Sequence, residues 1–418
     1  MKNGNEFIRE ELEKCVKCGK CRWICPVFAE EQREPFVARG HFSLLEELRN
    51  QTIKPEGSRI KELFGKCILC TSCVEICPND APTDTIVTLA RHMLLEHSSL
   101  PLYKKLFFWL LKDRKKLDLT VTAGAAVSVA AKQKKNGQEF PFINRFFPKI
   151  YKKSLLQSLP DNPTKGENNV VLFMSCLVNY SYQSVGYALV DILKKLNIGS
   201  TLPKKQLCCG APAYFAGDFE TAAYLARHNI DLFEKLNLPV LLPEPTCASM
   251  IKYDYPKLFT FLEDDEYRKK AEKVSKLFYD PVFYLYHNSN LKKLMKNSIN
   301  TNVTYHDPCH LAKTQKVTAE PRELIKKTGA DIIEMSDSLR CCGNGGTFSI
   351  DWRNLSLKIM DKKIEDIKNT GAATVVTGCS ACMMQISEGL YRKDQDIVVM
   401  HTLELINKAL MPFTPQQK

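Results

Sequence analysis

"LRCCGNGG", Leu339 to Gly346, sets two cysteines side by side and follows them with a glycine-rich turn. "QLCCGAP", Gln206 to Pro212, repeats the device 133 residues earlier. Neighbouring side chains diverge from the backbone, so an adjacent pair suits a single tetrahedral ion poorly. Two irons of one multinuclear cluster suit it better. Glycine after the pair permits positive φ and close backbone approach. The run "GNGG" also allows N–H groups to face sulfur or an anion. On this reading Gly343, Gly345 and Gly346 belong to a cofactor-binding loop.

Working outward, Cys176, Cys208 and Cys247 recur 133, 133 and 132 residues later as Cys309, Cys341 and Cys379. A fixed offset of this kind is the mark of an internal repeat. The flanks agree: "VVLFMSCL" pairs with "VTYHDPCHL", and "VLLPEPTC" with "TVVTGCSAC". Each unit reads strand, helix, doublet loop, helix, strand, loop, helix, with short buried strands. Two pseudo-symmetric α/β repeats are expected, over 169–297 and 298–418, with their cysteine loops meeting at the junction. The second repeat offers Cys309, Cys341, Cys342, Cys379 and Cys382, spaced C-x31-CC-x36-C-x2-C. The first offers Cys176, Cys208, Cys209 and Cys247, with Met250 where a fifth cysteine would stand. Five thiols exceed the need of tetrahedral zinc and favour an iron–sulfur cluster. Zinc with a spectator thiol, or a redox-active dithiol, remain alternatives.

The other eight cysteines lie near the N-terminus, in "CVKCGKCRWICP" and "CILCTSCVEICP". Both are C-x2-C-x2-C-x3-C-P, the bacterial ferredoxin run, whose fourth cysteine ligates the other cluster. Cys15, Cys18, Cys21 and Cys77 are therefore assigned to one [4Fe–4S] cube, and Cys67, Cys70, Cys73 and Cys25 to another. Zinc sites use separated pairs rather than a triplet plus one. Helical periodicity between the runs, with metal replacing a large core, predicts a mostly helical ferredoxin-like domain over 1–98. All 17 cysteines are then placed.

The layout of two ferredoxin runs followed by two CCG-type repeats resembles a known family over nearly the whole chain. It is the family of CCG-domain iron–sulfur proteins. They include iron–sulfur subunits of glycolate, lactate and anaerobic glycerol-3-phosphate dehydrogenases, and catalytic subunits of heterodisulfide reductases. The resemblance implies a noncubane [4Fe–4S] cluster on Cys309, Cys341, Cys342, Cys379 and Cys382. For the first repeat it leaves open a four-thiolate cluster, zinc or an emptied site. The overall expectation is α+β and α/β: a helical two-cluster head, then two α/β repeats.

Seventeen cysteines in 418 residues would fit a disulfide framework only in a secreted chain. The N-terminal "MKNGNEFIREELEK" has no apolar h-region, so a cytoplasmic protein is expected. No apolar run reaches the roughly 18 residues of a membrane span. The net charge of +12 admits an anionic membrane surface or an acidic partner, while no nucleic-acid module is present. Segment 99–168 reads as a basic amphipathic linker or interaction segment. Its "PLYKKLFFWLLKDRKK", residues 101–116, carries six lysines or arginines among aromatic and aliphatic residues. Such a stretch suits a membrane interface or a partner subunit, and "SLPDNPTKGENN", residues 158–169, has linker composition.

His306 and His310 flank Cys309. His310, oriented by Asp307, is the candidate proton mover, so the catalytic candidates are His310, Cys309, Cys341 and Cys342. His228 lies on a helix and reads as structural. No glycine-rich dinucleotide fingerprint or P-loop occurs. Hydride chemistry would then belong to a partner. Two functions compete. One is an electron-transfer subunit serving a flavoprotein dehydrogenase and passing electrons towards quinone, peripheral on the inner face of the cell membrane. The other is a heterodisulfide reductase-like enzyme with a cytochrome b-like membrane partner.

Overall fold

A computed structural model describes residues 4–127, 132–140, 145–295 and 299–410. The head is helical. Its central helix, α1 (Thr83–Glu96), buries Ile86, Val87, Leu89, Ala90 and Leu94 on faces that pack against the surrounding helices. Helices over Ala38–Arg49 and Ser58–Gly65 close around it, burying Phe42, Leu45 and Phe64. Two helices follow, α2 (Leu102–Leu111) and α3 (Arg114–Val127). Then comes a small antiparallel sheet of β1 (Lys132–Lys134), β2 (Gly137–Phe140) and β3 (Arg145–Phe147).

The first repeat supplies β4 (Asn168–Leu172), β5 (Ile198–Thr201), β6 (Val240–Leu241) and β7 (Phe278–Tyr279). They form a parallel sheet in the order β5-β4-β6-β7. The second supplies β8 (Asn302–His306), β9 (Asp331–Ile332), β10 (Thr374–Thr377) and β11 (Val398–His401). Its order, β9-β8-β10-β11, is the same arrangement one repeat later, again parallel. The central strands are buried along their apolar stretch: Val170, Val171 and Leu172 in β4, and Val375 and Val376 in β10, are all 0% exposed. Parallel strands covered by helices on both faces read as continuous apolar runs for this reason.

Among the described residues each repeat has four strands rather than the two its sequence pattern suggests. β7 and β9 span two residues each, too short for a periodicity to register. The linker-like 158–169 is also more ordered than its composition implies. Thr164 bridges to Ser200 beside β5, and its Oγ1 donates to the Ile198 carbonyl at 2.7 Å.

Between the halves, Leu189 and Ile192 of one helix share a core with Leu403 and Ile406 of another. A separate apolar cluster runs from Phe64 and Leu89 in the head to Phe219 and Tyr214 in the first repeat, and on to Phe348 in the second. Gly217, at φ +87°, shows how tight this seam is: a Cβ there would lie 2.6 Å from the backbone of Arg91 and His92. The head is thus fixed over the ends of both sheets.

Candidate metal centres

In the head, the two cysteine loops turn in the same way. Lys17 and Gly19 in one, and Leu69 and Thr71 in the other, have positive φ at matching positions. The fourth cysteine of each run begins the next segment and has its sulfur fixed by a backbone donor. Phe28 N–H points to Cys25 Sγ, and Ala81 N–H to Cys77 Sγ, both at 3.4 Å. The loops cross over. Cys25 shares a recess with Cys67, Cys70 and Cys73, while Cys77 shares one with Cys15, Cys18 and Cys21, which Cys73 also touches. The two recesses differ in burial. Cys18 is exposed and Trp23 beside it is 92% exposed, whereas Cys70 is buried. Burial pushes the Cys25 thiol up to about 12 and the Cys67 thiol up to about 11.

Beneath the recess of Cys25, Cys67, Cys70 and Cys73 lies a cavity of about 600 Å³. Eleven cysteines line it: Cys67 and Cys70 from the head, all four of the first repeat, and all five of the second. The strand topology explains the convergence. Cys176, Cys247, Cys309 and Cys379 each follow the carboxyl end of a parallel strand, and the doublets follow β5 and β9. Ligands bind at that edge of open α/β sheets. In the first repeat Cys209 Sγ lies 3.0 Å from Cys247 Sγ. In the second, Cys342 Sγ lies 3.5 Å from Cys382 Sγ. Burial raises the Cys309 thiol to about 11. Hydrogen bonds from Cys209 and Cys382 lower those of Cys247 and Cys379, but burial and nearby negative charge outweigh them and both rise to about 12. Such thiols keep their protons at neutral pH until a metal displaces them.

The glycines that follow the second doublet are shaped by this crowding. Gly343 sits at φ +89°, and a Cβ there would lie 2.6 Å from the Ser356 carbonyl. Its N–H points to Cys341 Sγ at 3.4 Å. Gly345, at φ +56°, is pressed against Ile68 of the head, while Gly346, at φ +60°, faces open space. His310 stacks on Phe215, with Nδ1 3.3 Å from Thr246 Oγ1 and 3.8 Å from Cys309 Sγ. Burial lowers its pKa. Asp307 does not orient it. Both Asp307 oxygens accept from the Arg322 guanidinium, at 2.9 and 2.6 Å. His228 Nε2 meets the Lys205 carbonyl at 2.7 Å, a structural contact away from the cysteines. Met250 is fully buried in a π-helical turn.

Four charged residues that the sequence reading passed over complete the junction. Glu244 reaches from the first repeat to the second, accepting from Cys379 Sγ at 3.0 Å and from Ser380 N–H at 3.2 Å; burial raises its pKa. Lys313 is buried, and its ammonium donates to Ser72 Oγ at 2.6 Å and the Leu339 carbonyl at 2.9 Å. Burial opposes its charge, but Cys70, Cys309 and Cys341 around it favour that charge and the net pKa is raised. Arg91 ties the head to the first repeat through the carbonyls of Cys67 and Phe215, both at 2.6 Å. Arg114 lies beside Cys176 and donates to the Gln206 carbonyl at 2.7 Å. Thiolate-held clusters are anionic, so cations at these positions offset their charge. All-sulfur donor sets with cationic surroundings fit iron–sulfur clusters well.

A fold of this kind, a dicluster head over two parallel-sheet repeats that present cysteines at one edge, defines an iron–sulfur protein of the oxidoreductase type. Comparison with known proteins agrees. Residues 11–81 match the 4Fe-4S dicluster domain, and residues 170–252 and 303–387 each match the cysteine-rich domain CCG. Lactate utilization protein A from Bacillus subtilis is 31% identical over 239 residues, 57% of this chain and 98% of that protein. The protein of that name from an Exiguobacterium strain is 30% identical over 244 residues, 58% of this chain and 98% of its own. One subunit of the fumarate reductase (CoM/CoB) from Methanothermobacter marburgensis is 26% identical over 409 residues, 96% of this chain and 73% of that one. The chain belongs to the CCG-domain iron–sulfur proteins, the family of lactate utilization protein A. Its fold is shared with the crystal structure of a hypothetical protein from Helicobacter pylori, at TM-score 0.55 and 11% identity, covering 98% of this chain and 74% of that one.

Proposed function

We propose that this chain is the electron-transfer subunit of a flavin-dependent dehydrogenase that oxidises a 2-hydroxyacid such as lactate or glycolate, or glycerol-3-phosphate, and delivers electrons towards quinone. The observation that carries this reading is the serial order of the cysteine sets. They run from the exposed Cys18 loop, through the buried Cys67–Cys73 loop, to the cavity lined by both repeats. Two cubes in the head and a noncubane [4Fe–4S] cluster in the second repeat would supply one-electron transfer. Cys15, Cys18, Cys21 and Cys77 would hold the outer cube, and Cys25, Cys67, Cys70 and Cys73 the inner one. Lys313 stands between the inner set and the second repeat, where its charge favours the reduced state of either.

The same reading puts the chain on the inner face of the cell membrane. Among the described residues no helix is long and apolar enough to cross a membrane. Helix α2 instead exposes Leu102, Leu106 and Trp109, and Leu119 of α3 is 73% exposed nearby in sequence. Phe107 and Leu111 of α2 line the cavity. One helix therefore walls the cavity and presents an apolar outer side with lysines beside it, which suits an interfacial position.

A second reading, a disulfide reductase with a cytochrome b-like partner, is favoured by the open cavity against all five second-repeat cysteines and by the CoM/CoB relative. Chemically reduced, anaerobically purified protein separates the two. Reoxidation by a quinone and rereduction by a flavoprotein dehydrogenase, with no response to disulfides, supports electron transfer. Reoxidation by a disulfide without a flavoprotein would replace that reading with the second.

A further inference from the structure

We propose that His306 is a sixth donor of the second repeat, its imidazole nitrogen binding the iron that Cys342 and Cys382 hold. The proposal rests on the reading that this repeat carries an iron–sulfur cluster. His306 ends β8, is 1% exposed, and neither of its ring nitrogens has a hydrogen-bond partner. A polar ring buried without a partner is costly and calls for an explanation. The Ser338 carbonyl beside it already accepts from the Asp307 N–H at 3.1 Å and the Lys363 ammonium at 3.3 Å. What His306 does face is sulfur. A ring nitrogen of His306 and the Sγ atoms of Cys342 and Cys382 all lie within 4.8 Å of one another. The separation of the two sulfurs, 3.5 Å, is one that a single tetrahedral iron spans.

The internal repeat supplies an independent argument. The first repeat keeps the counterparts of Cys309, Cys341, Cys342 and Cys379, but has Met250 in place of Cys382 and Phe173 in place of His306. Phe173 is ordinary core, packed on Phe233 and Phe278 with ring centroids 5.5 and 6.2 Å away. Met250 and Phe173 thus replace the two residues that converge on the outer sulfur of the doublet. Joint absence is expected if both serve one iron, and has no reason if His306 only caps a strand. His401, at the end of β11 in the same sheet, differs: its Nδ1 accepts from the Leu403 N–H at 3.2 Å and only its Nε2 is left without a partner, whereas both His306 nitrogens are. Imidazole in place of thiolate makes an iron centre easier to reduce, as in Rieske centres.

The test is electron–nuclear spectroscopy on the full chain, purified anaerobically with and without 15N-histidine. A strongly coupled nitrogen that shifts with the label is expected, lost in His306→Phe and in His306→Cys. In His306→Cys, where thiolate restores a ligand, iron content should stay unchanged and the midpoint potential should fall. Iron at about 12 per chain with no strongly coupled histidine nitrogen, or with one that survives both substitutions, overturns the assignment alone. Iron at about 8 per chain with zinc overturns the cluster reading and this assignment with it.

Discussion

The two cysteine-rich repeats share a strand order and a doublet loop, yet they offer a metal different things. The second presents five thiols to the cavity, with the unpaired imidazole of His306 buried beside Cys342 and Cys382. The first presents four thiols, with Met250 and Phe173 buried where the others would be. The sheet survives this loss intact, because β4 and β6 are held by apolar burial and not by their ligands. The fold is therefore a support to which a ligand set is added, and losing donors need not unfold it. The comparison also separates the roles of the two doublets: one is expected to carry iron, the other to keep the geometry of the junction.

The sharpest way to break that comparison is to remove the outer sulfur from each doublet in turn. Cys342→Ala should lower iron from about 12 to about 8 per chain, while Cys209→Ala should leave it near 12. Iron and acid-labile sulfide analysis reads the result directly. Equal losses from both variants would mean that the first repeat also holds a cluster, and that Met250 does not mark an emptied site.

A smaller effect should follow from the cations, which also differ between the repeats. Lys313 serves the second repeat and the inner head loop, while Arg114 lies beside Cys176 of the first. A unit charge several ångströms away at an effective dielectric near 20 is worth about 2–3 kcal/mol, or on the order of 100 mV for one electron. Lys313→Met should lower a cluster potential by that order, seen in a redox titration followed by EPR. Arg114→Met should move no cluster potential if the first repeat holds no cluster. Lys313 is also buried against Ser72, so the melting temperature is needed beside the potential.

Much of this was legible in the sequence, for identifiable reasons. Ligand spacing within C-x2-C-x2-C-x3-C is local geometry, so the head loops can be read from the spacing alone. The offset between Cys176 and Cys309 exposes the repeat without any knowledge of strands. The short edge strands were not legible, since two residues such as Asp331–Ile332 carry no period. The charged partners were hidden for a different reason. Glu244 meets Cys379 from 135 residues away, and Lys313 meets Ser72 from 241 away, so only tertiary packing creates either contact. Asp307 misled because proximity in sequence pointed to His310, while Arg322, fifteen residues on, takes both of its oxygens.

The smallest expected effect contrasts the helix caps that follow the last strand of each repeat. After β7, Asp280 accepts from Val282 N–H and Phe283 N–H at 2.9 and 3.1 Å; after β11, His401 Nδ1 accepts from Leu403 N–H. Burial pushes the two in opposite directions, Asp280 up to about 7 and His401 down to about 4. For His401 the unfolded chain binds the extra proton between about pH 6.5 and 4, so its contribution is present above that window and lost on acidification. At pH 5 the loss is about 2 kcal/mol. For Asp280 the folded chain binds the extra proton, so its contribution is present at low pH and lost as pH rises from about 4 to 7. His401→Gln should therefore flatten the acid side of a plot of stability against pH, and Asp280→Asn the neutral side. Denaturant titrations at pH 5 and 7.5 on both variants would show it. Parallel slopes in the two variants would mean that burial does not act on these caps in opposite senses, and the two repeats would then differ in their metal ligands but not in their proton balance.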